Sequence, residues 1–122
     1  MQLPELFRRG VVAALDEGAD AQLATWDVED GPYVAWIPLA SDSLFNEVWD
    51  AGVFKVINAE CGTLIDDYEE EDLSPESLPK AIAALTRLRY SCDSHSVRPF
   101  LEKLIRLCEL ARREGRSVYF IL

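Results

Sequence analysis

The sequence predicts one α+β domain over residues 1–122, mainly helical, with a small sheet formed by a hairpin and the C-terminal strand. Several segments repeat apolar residues at i, i+3, i+4 and i+7, which is typical of amphipathic helices. An Asp-Gly pair separates two β-favouring runs, and another β-rich run closes the chain. A length of 122 residues with 49% hydrophobic residues suits one domain that buries a core without disulfides or metals.

The N-terminal part predicts a helix followed by a hairpin. The helix has Pro4 in its first turn, Gly18 as its stop, and the apolar positions Leu3, Leu6, Phe7, Val11, Ala14 and Leu15. Two strands then follow, Ala21–Val28 and Tyr33–Leu39. Because Glu29-Asp30-Gly31-Pro32 lies between them, we expect them to pair in antiparallel orientation.

The middle of the chain predicts short helices and then a longer one. Ser41-Asp42-Ser43 supplies N-cap candidates for a helix that Gly52 stops, with apolar positions Leu44, Phe45, Val48 and Trp49. A second short helix contains Val53, Val56 and Ile57 and ends before Gly62. Ser74-Pro75-Glu76 predicts the start of the next helix, although Pro79 allows a later start with Ser77 as the cap. That helix would bury Leu78, Ala81, Ile82, Leu85 and Leu88.

The C-terminal part predicts a long helix and a final strand. Ser91–Ser96 forms a polar connection, and Ser96 is the expected cap of the last helix. Gly115 is expected just beyond its end, after an apolar stripe of Val97, Phe100, Leu101, Leu104, Cys108 and Ala111, widened by Ile105 and Leu107. Ser117–Leu122 should be a strand tied into a sheet, because an unpaired β-rich end would promote aggregation.

An acidic run stands out as the candidate binding site. Six carboxylates surround one tyrosine over seven residues: Asp66, Asp67, Tyr68, Glu69, Glu70, Glu71 and Asp72. Such a run repels itself, so it must be solvated, lie near cations or face a basic partner. Tyr68 could be buried by that partner as an anchor, or it could pack the run onto the body of the domain.

The charge of the chain excludes some partners. A net charge of −10 argues against direct binding to nucleic acid or to an anionic membrane. Residues 1–76 carry −15 and residues 77–122 carry +5. The basic half could therefore neutralise the acidic half within the molecule, or an acidic face could remain for a basic protein.

No motif predicts an enzyme, a cofactor or a metal. Cys92-Asp93-Ser94-His95 brings a cysteine and the single histidine together, but a zinc site needs further ligands and Cys61 is the obvious third. The acidic run lacks the alternating ligands and central glycine of a calcium-binding loop. The N-terminus has no signal-peptide pattern, and no apolar run approaches the roughly 18 residues that a membrane span needs, so we expect a cytoplasmic protein.

Together, the segment from Ile65 to Glu71 and the helix start at Ser74-Pro75-Glu76 resemble the small acidic immunity proteins of bacterial toxin systems, including contact-dependent growth inhibition. The tail from Ala111 to Leu122 resembles the closing helix, glycine and strand of the barstar family of ribonuclease inhibitors. The resemblance implies a non-enzymatic inhibitor of a cognate toxin, often a nuclease with a basic active site, bound by the 66–72 carboxylates. An adaptor or assembly subunit is the first alternative, and a small Cys/His enzyme is the second. The sequence leaves the oligomeric state open.

Overall fold

Strands and helices alternate along most of the chain. The computed structural model describes residues 10–24, 34–39, 41–66 and 70–122. In chain order the elements are β1 (Gly10–Ala14), α1 (Glu17–Ala24), β2 (Val34–Pro38), α2 (Asp42–Asp50), α3 (Val53–Cys61), β3 (Glu70–Leu73), a 3₁₀ turn (Pro75–Ser77), α4 (Leu78–Ser91), α5 (Val97–Glu114) and β4 (Val118–Ile121). The predicted class, a mainly helical α+β fold with a small sheet, is confirmed.

The four strands form one antiparallel sheet in the order β2-β1-β4-β3. The C-terminal strand is therefore interior to the sheet, between β1 and β3, and the prediction that a sheet holds it is confirmed. Val118 and Phe120 are completely buried, so this β-rich end does not present a free strand that could aggregate.

Helices cover both faces of the sheet, and the two faces have separate cores. On one face α2–α5 enclose the larger core, where Phe54 meets Phe120 edge-to-face with ring centroids 6.1 Å apart. On the other face, α1 packs Leu23 against Val12, Ala14 and Tyr119. Alternate residues of β4 thus point to different cores, as the two-residue period of a strand requires.

The prediction of a first helix is wrong for the described residues. Gly10–Ala14 forms β1, and the remainder of the predicted helix before Gly10 lies outside the described residues. Val11 to Ala14 are buried on both faces of the sheet, at no more than 1% exposure. A strand buried on both faces lacks the polar alternation that identifies a strand, so a short apolar run can imitate a helix.

The predicted hairpin is also wrong, because the two predicted strands do not pair with each other in the described residues. Residues 21–24 of the first predicted strand belong to α1, and residues 25–28 lie outside the described part of the chain. The second predicted strand is confirmed as β2, but it pairs with β1, for example Trp36 opposite Val12. A carboxylate oxygen of Asp16 accepts a hydrogen bond from the Ala19 amide at 2.8 Å and caps the start of α1. The helix then continues through residues 21–24, where a strand was predicted.

The other predicted helices are confirmed, with changes at their starts. Ser41 caps α2 by accepting the Leu44 amide at 3.1 Å, as predicted. The later start is correct for α4, because Ser74-Pro75-Glu76 leads into a 3₁₀ turn and Ser77 takes the cap position. At α5, Ser94 rather than Ser96 accepts the Val97 amide, at 3.2 Å. The apolar stripe of α5 is buried as predicted, and Gly115 ends the helix with φ of 68°.

No helix in the described ranges is long and apolar enough to span a membrane.

Candidate binding surface

The second half of the acidic run is an edge strand. Glu70–Leu73 pairs with β4 in antiparallel register, from Glu70 opposite Ile121 to Leu73 opposite Val118. Glutamate and aspartate disfavour strands, so local preference does not explain this element. Leu73 is completely buried in the main core and fixes the strand to the sheet. Charged side chains on an edge strand also discourage pairing with other chains, which is a purely structural use for them.

The first half of the run is seen only in part. Asp66 is exposed at the end of the loop after α3. Asp67, Tyr68 and Glu69 lie outside the described residues, so their predicted role in binding stays a prediction. The described site residues are therefore Asp66 and the strand positions Glu70, Glu71 and Asp72.

The strand divides its carboxylates between the two faces of the sheet. Asp72 is exposed and lies opposite Tyr119, whose side chain belongs to the smaller core under α1. Glu71 lies opposite Phe120, on the side of the main core. Because cross-strand partners share a face, these neighbouring carboxylates cannot act as one cluster.

Glu71 has a local structural task. One carboxylate oxygen accepts the Leu64 amide at 2.8 Å, and the other accepts the Asp72 amide at 3.2 Å. Hydrogen bonds to a charged acceptor are stronger than those between neutral groups. Glu71 therefore joins β3 to the loop before it, and it is less suited to direct recognition than Asp72.

Asn58 of α3 holds the same loop from the other side. Its amide nitrogen donates to the Ile65 carbonyl at 3.0 Å, and its side-chain oxygen accepts the Ile65 amide at 2.9 Å and the Thr63 hydroxyl at 2.7 Å. Ile65 is buried, whereas Leu64 between these anchors is 81% exposed. The loop is thus fixed on both sides of an exposed apolar side chain that precedes the acidic run.

Tyr119 lies among acidic groups that are distant in sequence. Its hydroxyl donates to a carboxylate oxygen of Asp20 in α1 at 3.4 Å. Burial is the main reason that the pKa of Tyr119 is raised, and the charges of Asp20 and Asp72 raise it further, against a hydrogen bond with Ser117 that lowers it. The sheet face that packs against α1 therefore has acidic groups at its border. We call Asp20 and Asp72, which flank Tyr119, the acidic rim.

Sequence reasoning missed Asp20, Asn58, Leu64 and Tyr119. Asp20 and Tyr119 meet because α1 and β4 pack on the same face, and no local pattern relates positions so far apart. Asn58 falls on a predicted helix, and its link to the loop depends on where that loop returns. Of these four residues, only Leu64 had a signal in the sequence, because it lies close to the start of the acidic run.

An ion pair between the acidic and basic halves of the chain lies outside β3. It joins Arg87 of α4 to Glu60 of α3 at 2.9 Å. Both side chains are largely exposed, at 65% and 45%, so the pair contributes little to stability. Glu71 and Asp72 form no ion pair with the described residues. Internal neutralisation is thus seen at α3 and α4 rather than at β3.

The cysteines and the histidine form no recognisable reactive or metal-binding group in the described part of the chain. Cys92 is half-buried against the main core, and His95 is exposed in the connection before α5. Burial raises the pKa of the Cys108 thiol to about 12, and it also raises that of Cys61, so neither favours the reactive thiolate. In the described ranges no three Cys, His, Asp or Glu side chains gather in a way that could hold a metal ion.

Comparison with known proteins finds no matching family model, curated protein or solved structure. The residues themselves therefore carry the argument for function.

Proposed function

We propose that this chain is an immunity protein that binds and neutralises a cognate bacterial toxin, in the first place a nuclease, through its acidic surface. The observation that carries the proposal is the placement of Asp72 on a sheet strand, exposed and opposite Tyr119, whose hydroxyl contacts Asp20. A carboxylate on a rigid element needs no ordering when a partner binds, so less free energy is lost on association.

The physical basis of inhibition is charge complementarity. A nuclease binds phosphates with an electropositive surface, and a protein of net charge −10 with acidic groups at fixed positions can occupy that surface. The partner on this proposal is a basic protein, and the chain performs no chemistry of its own. On this proposal the neighbouring residues Asp66, Asp67, Tyr68, Glu69 and Glu70 would also contact the partner.

The surface divides into groups with different roles. Asp72 and Asp20 would contact or attract the partner, whereas Glu71 would maintain the geometry by holding Leu64 and the start of β3. Leu64, which precedes the acidic run along the chain, is exposed and would add an apolar contact. An apolar side chain bordered by charges is a common arrangement in protein interfaces.

Growth protection tests the proposal. A bacterial host would express a candidate toxin domain, chosen from the reading frames next to the gene for this chain, together with the wild-type chain, Asp72→Lys or Asp93→Lys. Asp93 is a matched control because it is exposed, undergoes the same charge reversal, and is separated from β3 along the chain by α4, whose 14 residues are about 20 Å long.

We expect protection by the wild-type chain and Asp93→Lys and reduced protection by Asp72→Lys. If no neighbouring toxin is neutralised, the proposed function is wrong. If Asp72→Lys protects as well as the wild type, the function can stand but the acidic rim is not its site. A stable partner whose affinity does not depend on salt would instead favour an assembly subunit.

A further inference from the structure

A second surface, with the opposite charge, lies at the far edge of the sheet. Among the described residues β2 pairs with β1 alone, so within that part of the chain β2 is an edge strand. A groove of about 230 Å³ separates this edge from α5. Its strand side is formed by Ala35, Trp36 and Ile37. This edge is the opposite one from β3 and the acidic run.

The helix side of the groove combines apolar contacts with cations. Lys103, Arg106, Leu107 and Leu110 follow the i, i+3, i+4, i+7 spacing that places side chains along one side of a helix. Leu107 is buried at 5% exposure and forms part of the floor, whereas Lys103 and Arg106 are exposed. In the described part of the chain neither cation has an ion-pair partner. The groove is thus apolar at its base and positive at its rim, in a protein that is strongly negative as a whole.

We propose that this groove binds an extended acidic segment of a partner protein, which adds to the sheet as a further strand beside β2. An edge strand offers backbone N–H and C=O groups that an extended peptide can pair with, and side-chain pockets beside it select the sequence. The exposed Lys103 and Arg106 select carboxylates, and the apolar base selects small branched side chains. The partner's charge is opposite to that of the toxin proposed above, so this proposal does not depend on that function.

The dimensions define the segment. Lys103 to Leu110 extends about 10 Å along α5, which matches three residues of a strand at about 3.3 Å each. Pro38 closes β2 and has no amide hydrogen to offer, so pairing should end at that position. A segment of about three to four residues that alternates acidic and branched side chains fits this site.

A peptide titration tests the proposal with the full chain. The probe is a fluorescein-labelled hexapeptide that alternates aspartate and valine, and the control peptide alternates lysine and valine. Binding is followed by fluorescence anisotropy, and the amide exchange of residues 34–37 is measured by NMR. The test variant is Lys103→Glu combined with Arg106→Glu. The matched control combines Arg112→Glu with Arg113→Glu, which reverses the same number of exposed charges in the last turn of α5.

We expect saturable binding of the aspartate peptide, slower exchange of the β2 amides on binding, and a loss of affinity of about tenfold in the Lys103/Arg106 variant. The Arg112/Arg113 variant should bind as the wild type does. The proposal is overturned if the aspartate peptide does not saturate, if both peptides bind alike, or if the two double variants bind alike. Sedimentation that shows a dimer disrupted by the Lys103/Arg106 changes would assign the groove to a second copy and would also overturn it.

Discussion

Asp72 and Tyr119 lie directly opposite each other in the β3–β4 pair, and the charge of this aspartate contributes to the raised pKa of the tyrosine. The pairing fixes which carboxylate of the acidic run reaches the smaller face of the sheet. It also brings that carboxylate to the same tyrosine that Asp20 of α1 contacts. Residues from α1, β3 and β4 thereby form one surface.

The titration of Tyr119 tests this arrangement. Asp20→Asn should lower its pKa toward the ordinary value near 10, and Asp72→Asn should lower it less, because Asp20 has the larger effect. Because folding raises this pKa, the associated stability is present below about pH 10 and is lost as pH rises through the folded-state pKa. NMR of the labelled tyrosine ring carbon bonded to oxygen measures the pKa. An unchanged pKa in both variants would mean that these charges do not act on Tyr119.

The different tasks of Glu71 and Asp72 predict different stabilities. Glu71→Ala removes the acceptor of the Leu64 and Asp72 amides and should lower the free energy of unfolding by about 1 kcal/mol. Asp72→Ala removes an exposed side chain and should change it by less than about 0.5 kcal/mol. Urea unfolding of both variants gives the comparison, and equal losses would contradict the division of roles.

Asn58 should control the order of the loop before the acidic run. Asn58→Ala removes three hydrogen bonds to Thr63 and Ile65, so we expect a loss of about 1–3 kcal/mol and faster amide exchange at Ile65. Thr63→Val is a milder control, because it removes one of the three bonds and leaves both contacts with Ile65 in place. If the two substitutions accelerated exchange equally, Asn58 would not be the main support of the loop.

The main core should depend on Phe120. Its ring is fully buried against Phe54, so Phe120→Ala should cost about 3–5 kcal/mol through lost burial and the cavity that remains. Tyr90→Ala is the matched aromatic control, because Tyr90 is 82% exposed and should change stability little. Chemical denaturation measures both. A small effect at Phe120 would show that this strand position is not packed as described.

The helices that the sequence predicts correctly are those with a clear amphipathic period. The apolar stripe of α5 and the Ser41 cap of α2 are local patterns, so they could be read directly. The first strand could not be predicted from a local pattern, because β1 is buried on both faces and its apolar run resembles part of a helix. The wrong partner for β2 followed from that error, since the true partner had been assigned to a helix.

The candidate site was predicted as a stretch of chain rather than as a surface. The carboxylates of the acidic run could be identified from the sequence alone, because a dense run of acidic residues needs no structure to be recognised. Composition could not show that β3 is a strand, because glutamate and aspartate disfavour strands and long-range pairing with β4 overrides that preference. The separation of Glu71 from Asp72 depends on this register, whereas the approach of Asp20 to Tyr119 depends on the packing of α1 against β4.

The most direct test of the central claim is the association rate with the neighbouring toxin domain, measured by stopped flow over a series of NaCl concentrations. If the acidic rim steers association, the rate constant at low salt should be well above the unsteered ~10⁵–10⁶ M⁻¹s⁻¹ and should fall steeply as salt rises. Asp72→Lys should slow association more than Asp93→Lys, although both change the net charge equally. A rate that is independent of salt and the same in all three proteins would contradict recognition through the acidic rim.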